Sequence, residues 1–185
     1  MIDSGAFENC KQLISFSIPP KITTILSSLV RDCSNLRYFK FPENDQIIEL
    51  SLAFLQFCSH LQNFSLPTTV IFFRYYCCND CNLSYLSINE SIQIIEEGCF
   101  QGNPYLQLST NILPESLTFI GRYTSVQKII LPETLVYIGK DCFSNCEKLE
   151  CVYYFGKLIP FQDIYKGIAS YWSAFYGTKF ERILV

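Results

Sequence analysis

Apolar residues recur along this chain in a fixed set of spacings that restarts every 20 to 25 residues. Leu13, Leu36, Leu61, Leu83, Leu106, Val126 and Leu149 mark the restarts, at intervals of 23, 25, 22, 23, 20 and 23 residues. From most markers, further apolar residues follow three and five positions on: Leu13-Phe16-Ile18, Leu36-Phe39-Phe41, Leu61-Phe64-Leu66, Leu83-Leu86-Ile88 and Val126-Ile129-Leu131. The alternation in the last three positions predicts a short strand with one face inward. Pro19, Pro42, Pro67 and Pro132 then end it, because proline cannot donate the next backbone hydrogen bond.

Beyond the proline slot stands a second apolar pair three residues apart, as in Ile22 and Ile25, Val70 and Phe73, Ile92 and Ile95, Leu117 and Ile120, Leu135 and Ile138. Upstream of the markers, Cys10, Cys33, Cys58, Cys81, Asn103 and Cys146 share one slot, and three residues before them stand Phe7, Val30, Leu55, Cys78, Phe100 and Phe143. That spacing predicts one helical or 3-10 turn on the outer side of each unit. A single unit cannot bury its apolar face alone, whereas stacked units share one core. The expected fold is an α/β-type solenoid, mostly β with short outer turns. It is a leucine-rich repeat right-handed coil with a parallel sheet on its concave face and about seven repeats. Two units depart from the pattern. Around Leu106 the following Leu113-Pro114 comes two residues late, predicting a displaced strand, and the unit of Val126 has lost most of its outer turn.

The strings Gly5-Ala6-Phe7-Glu8-Asn9-Cys10 and Ile138-Gly139-Lys140-Asp141-Cys142-Phe143-Ser144-Asn145-Cys146, with Leu-Pro-Glu-Ser-Leu at 113–117 and Leu-Pro-Glu-Thr-Leu at 131–135, resemble BspA-type leucine-rich repeat proteins over residues 2–155. The resemblance implies a non-catalytic recognition module of the surface-antigen or adhesion type, at the cell surface or extracellular, without a cofactor. Its expected partner is a protein or glycan. Residues 1–155 then form the repeat array. Residues 156–185, which interleave Pro160-Phe161, Tyr171-Trp172 and Phe175-Tyr176-Gly177, are similar to the closing segment of such arrays and are expected to cap the last unit within the same domain.

The whole chain has 185 residues, 14 Lys plus Arg and 17 Asp plus Glu, a formal charge of -3. That balance disfavours nucleic acid as a partner. No apolar stretch approaches the ~18 residues that span a bilayer, and the start lacks the basic and apolar regions of a signal peptide. A cytoplasmic location is therefore the alternative to the cell surface. Eight of the ten cysteines fall in two repeat slots that want a small buried residue, so a column of stacked thiols is expected, ahead of disulfides or a metal site. Such a column suits a reducing compartment. Cys151 flanks the inward Val152 and is expected to project and react. His60, the only histidine, falls at a turn with no converging partner. Ser125 and Lys128 match a Ser-x-x-Lys pattern without its companion motifs. Asn63, Asn82 and Asn89 begin glycosylation sequons, a weak signal in a chain with so many Asn, Ser and Thr residues.

Residues flanking the middle apolar position of each strand point outward. They form two rows across the sheet, and the candidate ligand-binding residues are Tyr38, Lys40, Asn63, Tyr85, Ser87, Lys128 and Tyr153. The tyrosines stand out, since large amphipathic rings dominate binding hot spots. The alternative is a structural protein that self-associates end to end through its first unit, where Ile2 already fills a repeat slot.

Overall fold

The computed structural model describes residues 2–43, 46–108, 113–117, 119–120, 128–135, 137–138, 151–154 and 183–184. Two rows of parallel strands run through them. The first row holds the expected strands: β1 (Ser15–Ser17) pairs with β2 (Tyr38–Lys40). The other strands at this slot are β5 (Tyr85–Leu86) with β7 (Gln107–Leu108), and β9 (Lys128–Leu131) with β11 (Cys151–Tyr154), to which β12 (Ile183–Leu184), a strand the periodicity does not predict, adds in parallel. In this row Phe16 lies opposite Phe39, Leu86 opposite Leu108, and Ile129 opposite Val152. The displacement expected after Leu106 takes the form of a shortened approach. Leu108 is two residues beyond its marker, where Leu86 is three beyond Leu83.

The second row corrects the expectation of one strand per unit. β3 (Glu49–Leu50), β4 (Phe72–Phe73), β6 (Ile94–Ile95), β8 (Phe119–Ile120) and β10 (Tyr137–Ile138) make one continuous five-stranded parallel sheet at the second apolar pair. Each strand is only two residues long, too short to show a period of two in the sequence. Its inward residues Leu50, Phe73 and Ile95 are fully buried. On its outer edge Arg74 bridges Glu49 at 2.8 Å and Glu96 at 3.1 Å, joining three successive units by charge.

The outer segments are not helical; no helix occurs among the described residues. They are turns in which two residues, four apart, have positive φ: Gly5 and Asn9, Ser28 and Asp32, Ala53 and Phe57, Tyr76 and Asp80, Gly98 and Gly102. Such residues reverse the local handedness and stop a helical ladder from propagating. Alternate amides then serve two purposes. Cys33 and Arg31 donate back three residues, to Val30 and Ser28, while Ser28, Val30 and Asp32 donate forward to Leu52, Phe54 and Gln56 of the next unit. The same alternation runs from Gly5 through Gln101, so the turns form a third parallel ladder.

Between the three ladders lies one core. Val30, Leu55, Cys78 and Phe100, together with Leu36, Leu61, Leu83 and Leu106, are 0–3% exposed. Phe16, Phe39 and Phe64 occupy one slot of three successive units, their rings 5.9 and 6.4 Å apart, and Phe54 meets Phe39 edge-on at 5.2 Å. Burying each such side chain stabilises the fold by about 1.5–3 kcal/mol.

The cysteine slot is a column, as expected, with a directional bond in it. The Cys33 thiol donates to the carbonyl of Phe7 at 3.1 Å, Cys58 to Val30 at 3.2 Å and Cys81 to Leu55 at 3.0 Å. Each acceptor lies one unit back and three residues before that unit's own slot. Where the slot holds Asn103, its amide makes the equivalent bond to Cys78 at 2.8 Å. The Ser and Thr of the Leu-Pro-Glu-Ser/Thr-Leu strings act alike: Ser116 reaches the carbonyl of Ile92 at 2.6 Å and Thr134 that of Leu117 at 3.2 Å.

Candidate functional site

The first strand row builds a polar groove of about 730 Å³. Its floor is the inward aromatic slot, with Phe39 and Phe64 8% and 7% exposed. Alternation around those rings turns Ser15, Ser17, Tyr38 and Lys40 outward, with Ser15 opposite Tyr38 and Ser17 opposite Lys40. In the next unit Asn63 and Ser65 flank Phe64 in the same sense, although residues 61–67 form no assigned strand. The groove thus brings together three of the expected site residues, Tyr38, Lys40 and Asn63.

Tyr38 is 68% exposed in the groove, and Tyr85 is 48% exposed on β5. Tyr85 and Ser87 lie outside the groove lining, which reaches their unit at Asn82. Lys128 and Tyr153 sit on β9 and β11, where Lys128 is opposite Cys151 and Ile130 opposite Tyr153. The side chains of Lys128, Cys151 and Tyr153 lie outside the described residues, as do Ser125, Val126 and most of 156–185.

Arg37, His60 and Gln62, none of them among the expected binding residues, also line the groove. Arg37 precedes β2, and its exposure follows from the turn that delivers that strand. His60 is exposed, as expected of a turn residue, and its Nδ1 donates to the Ser34 carbonyl at 2.5 Å. A carbonyl only accepts, so the hydrogen is on Nδ1 and Nε2 is the nitrogen left for a ligand. Lys40 pairs with Glu43 at 2.9 Å, an exposed contact worth little to stability. Of the sequons, Asn63 and Asn82 are exposed, whereas the Asn89 amide is bound to the carbonyls of Pro67 and Val70, both at 3.1 Å, and has a structural task.

The thiols offer no nucleophile in this region. Burial pushes the Cys58 thiol up to about 12, raises that of Cys33, and holds those of Cys77, Cys78, Cys81 and Cys99 well above their usual value. The reactive thiolate is thereby suppressed. Among the described residues no group of three or more His, Cys, Asp or Glu is placed to hold a metal ion. No helix among them is long and apolar enough to cross a membrane.

Short parallel strands at this period, inward Leu markers and a Cys-x-x-Leu turn define a leucine-rich repeat protein. The chain belongs to the BspA-type leucine-rich repeat family, which matches residues 1–107 and 118–184 in six copies. Repeat proteins of this kind are generally non-catalytic. The fold is similar to that of a leucine-rich cell surface protein from Faecalibacterium prausnitzii, with a TM-score of 0.64 and 22% identity over 78% of this chain and 40% of that one. A leucine-rich repeat protein of T. pallidum matches with a TM-score of 0.63 and 18% identity, covering 79% of this chain and 69% of that one. The chain thus spans two fifths of the Faecalibacterium protein. No curated protein matches it in sequence.

Proposed function

We propose that the chain is a recognition module of the surface or adhesion type, a right-handed solenoid of about seven turns that engages a protein or glycan through its first strand row. The observation that carries the reading is the groove at β1 and β2, where a 68% exposed tyrosine stands over a buried aromatic floor. Tyr38 and Tyr85 anchor the ligand, with Lys40, Asn63 and Ser87 beside them and Lys128 and Tyr153 extending the row. Family membership supports the reading, and the Faecalibacterium relative is described as a cell surface protein. Residues 156–185 close the array.

The test is a glycan and extracellular-matrix array probed with the chain and with the double variant Tyr38→Ala, Tyr85→Ala. Binding is expected to fall about tenfold or more, as for hot-spot residues, at an unchanged melting temperature. Unchanged binding, together with concentration-dependent assembly in sedimentation, would instead favour a structural protein that pairs through its first unit. There Ile2, Phe7 and Leu13 are only partly buried.

A further inference from the structure

We propose that the groove beside β2 takes an acidic glycan, a sugar chain bearing carboxylate or sulfate groups. This rests on the reading of the strand row as a recognition surface and names the ligand's chemistry. The chain as a whole is acidic, with a formal charge of -3, yet the groove lining contains no Asp or Glu and does contain Arg37 and Lys40. Arg37 is exposed and makes no ion pair among the described residues, so its planar fork is available to a carboxylate or sulfate. Lys40 exchanges a solvent-exposed partner, Glu43, for a ligand anion at little cost.

The rest of the lining selects the sugar over a protein. Protein hot spots seat an aromatic or arginine anchor in a well-packed, fully desolvated pocket. Here the only apolar groups are Phe16, Phe39 and Phe64, and the last two are closed off beneath the surface. What faces outward is hydroxyl and amide, from Ser17, Asn63 and Ser65 among others, which donates and accepts as sugar hydroxyls do. Tyr38 supplies a flat ring with a polar end, suited to the apolar face of a pyranose. Asn63, at the equivalent slot of the next unit, adds an amide to the same lining. A volume of about 730 Å³ lies within the range of ligand sites and holds a short stretch of such a chain.

The experiment measures affinity for three soluble probes, polygalacturonate, dextran sulfate and neutral dextran, at low and high salt. Binding to one or both acidic chains is expected, weakened by salt, with no binding to neutral dextran. Arg37→Gln should weaken it about tenfold, as expected for a lost charge-assisted hydrogen bond, and Tyr38→Ala similarly. A control variant, Lys21→Gln, removes equal charge outside the groove lining and should leave affinity unchanged. Equal binding of neutral dextran, or an equal effect of the control variant, overturns the proposal. If the acidic chains fail to bind while a protein ligand still depends on Tyr38 and Tyr85, the glycan assignment falls and the recognition reading stands. If no ligand depends on those tyrosines, the recognition reading falls with it.

Discussion

Asn103 shows how much a single side chain does in a stacked architecture. It is fully buried, donates to the carbonyls of Cys78 at 2.8 Å and Phe100 at 3.0 Å, and accepts from the Leu83 amide at 2.8 Å. The cysteines of the same slot make the backward bond, to which Cys81 adds a longer contact with the Asn79 carbonyl at 3.6 Å, and none of them accepts from a backbone amide as Asn103 does. Removing the amide strands buried backbone groups in two units, so Asn103→Ala is expected to cost about 3 kcal/mol, read as a shift in the urea midpoint. Asn103→Cys keeps the backward donor and loses only the Leu83 contact, and should cost about half as much. Equal losses would mean that volume, and not hydrogen bonding, sets the slot. The slot itself was readable from the spacing of Cys10, Cys33, Cys58 and Cys81. The bond was not, because a weak donor and a small hydrophobe are the same letter in a sequence.

At the scale of the element, the strands of the first row were readable and the turns were not. Phe16, Phe39 and Leu86 announce themselves by alternation and by the proline that follows several of them. The turns depend on left-handed backbone at paired positions, and four of those ten, Ser28, Ala53, Phe57 and Tyr76, hold residues that give no warning. Gly5, Gly98 and Gly102 hint at it, and Asn9, Asp32 and Asp80 more weakly. Gly98 is closely confined, since a Cβ there would run into the ring of Tyr76 from the preceding unit, at a φ of +69°. Gly98→Ala is expected to destabilise the fold by about 2 kcal/mol or more, with a corresponding drop in melting temperature. An unchanged melting temperature would show that the turn ladder can be rebuilt without left-handed backbone. The second strand row is hidden in the sequence for a related reason. Its apolar pairs are plain, yet two-residue strands are recognised only when their neighbours are known. The groove inherits the same limits: Tyr38, Lys40 and Asn63 follow from alternation, while Arg37 and His60 enter through loop geometry.

For the whole molecule, the buried sulfur column ties stability to alkaline pH. Burial raises the thiols of Cys33, Cys58, Cys77, Cys78, Cys81 and Cys99, that of Cys58 from 9.0 to about 12. Below pH 9.0 these thiols are protonated in both the folded and the unfolded chain, and stability is fully present. Above it the unfolded chain loses protons that the folded one retains, so stability falls as pH rises towards about 12. Urea midpoints measured across that interval should decline steadily, and a flat profile would contradict the buried, neutral state of the column.

The forward amide bonds and backward thiol bonds always link a unit to its immediate neighbours, about one period away in sequence. Excising one complete period, residues 37–61, would therefore bring Leu36 against Gln62 and hand each orphaned group a partner of the same kind. Cys81 would find the carbonyl of Val30 where it had found that of Leu55. Trimming one or two residues from the same stretch would throw every later slot out of step. Length in this molecule is thus editable only in whole periods, so lineages of such chains can lengthen or shorten their binding surface by recombination between repeats, without redesigning its interior.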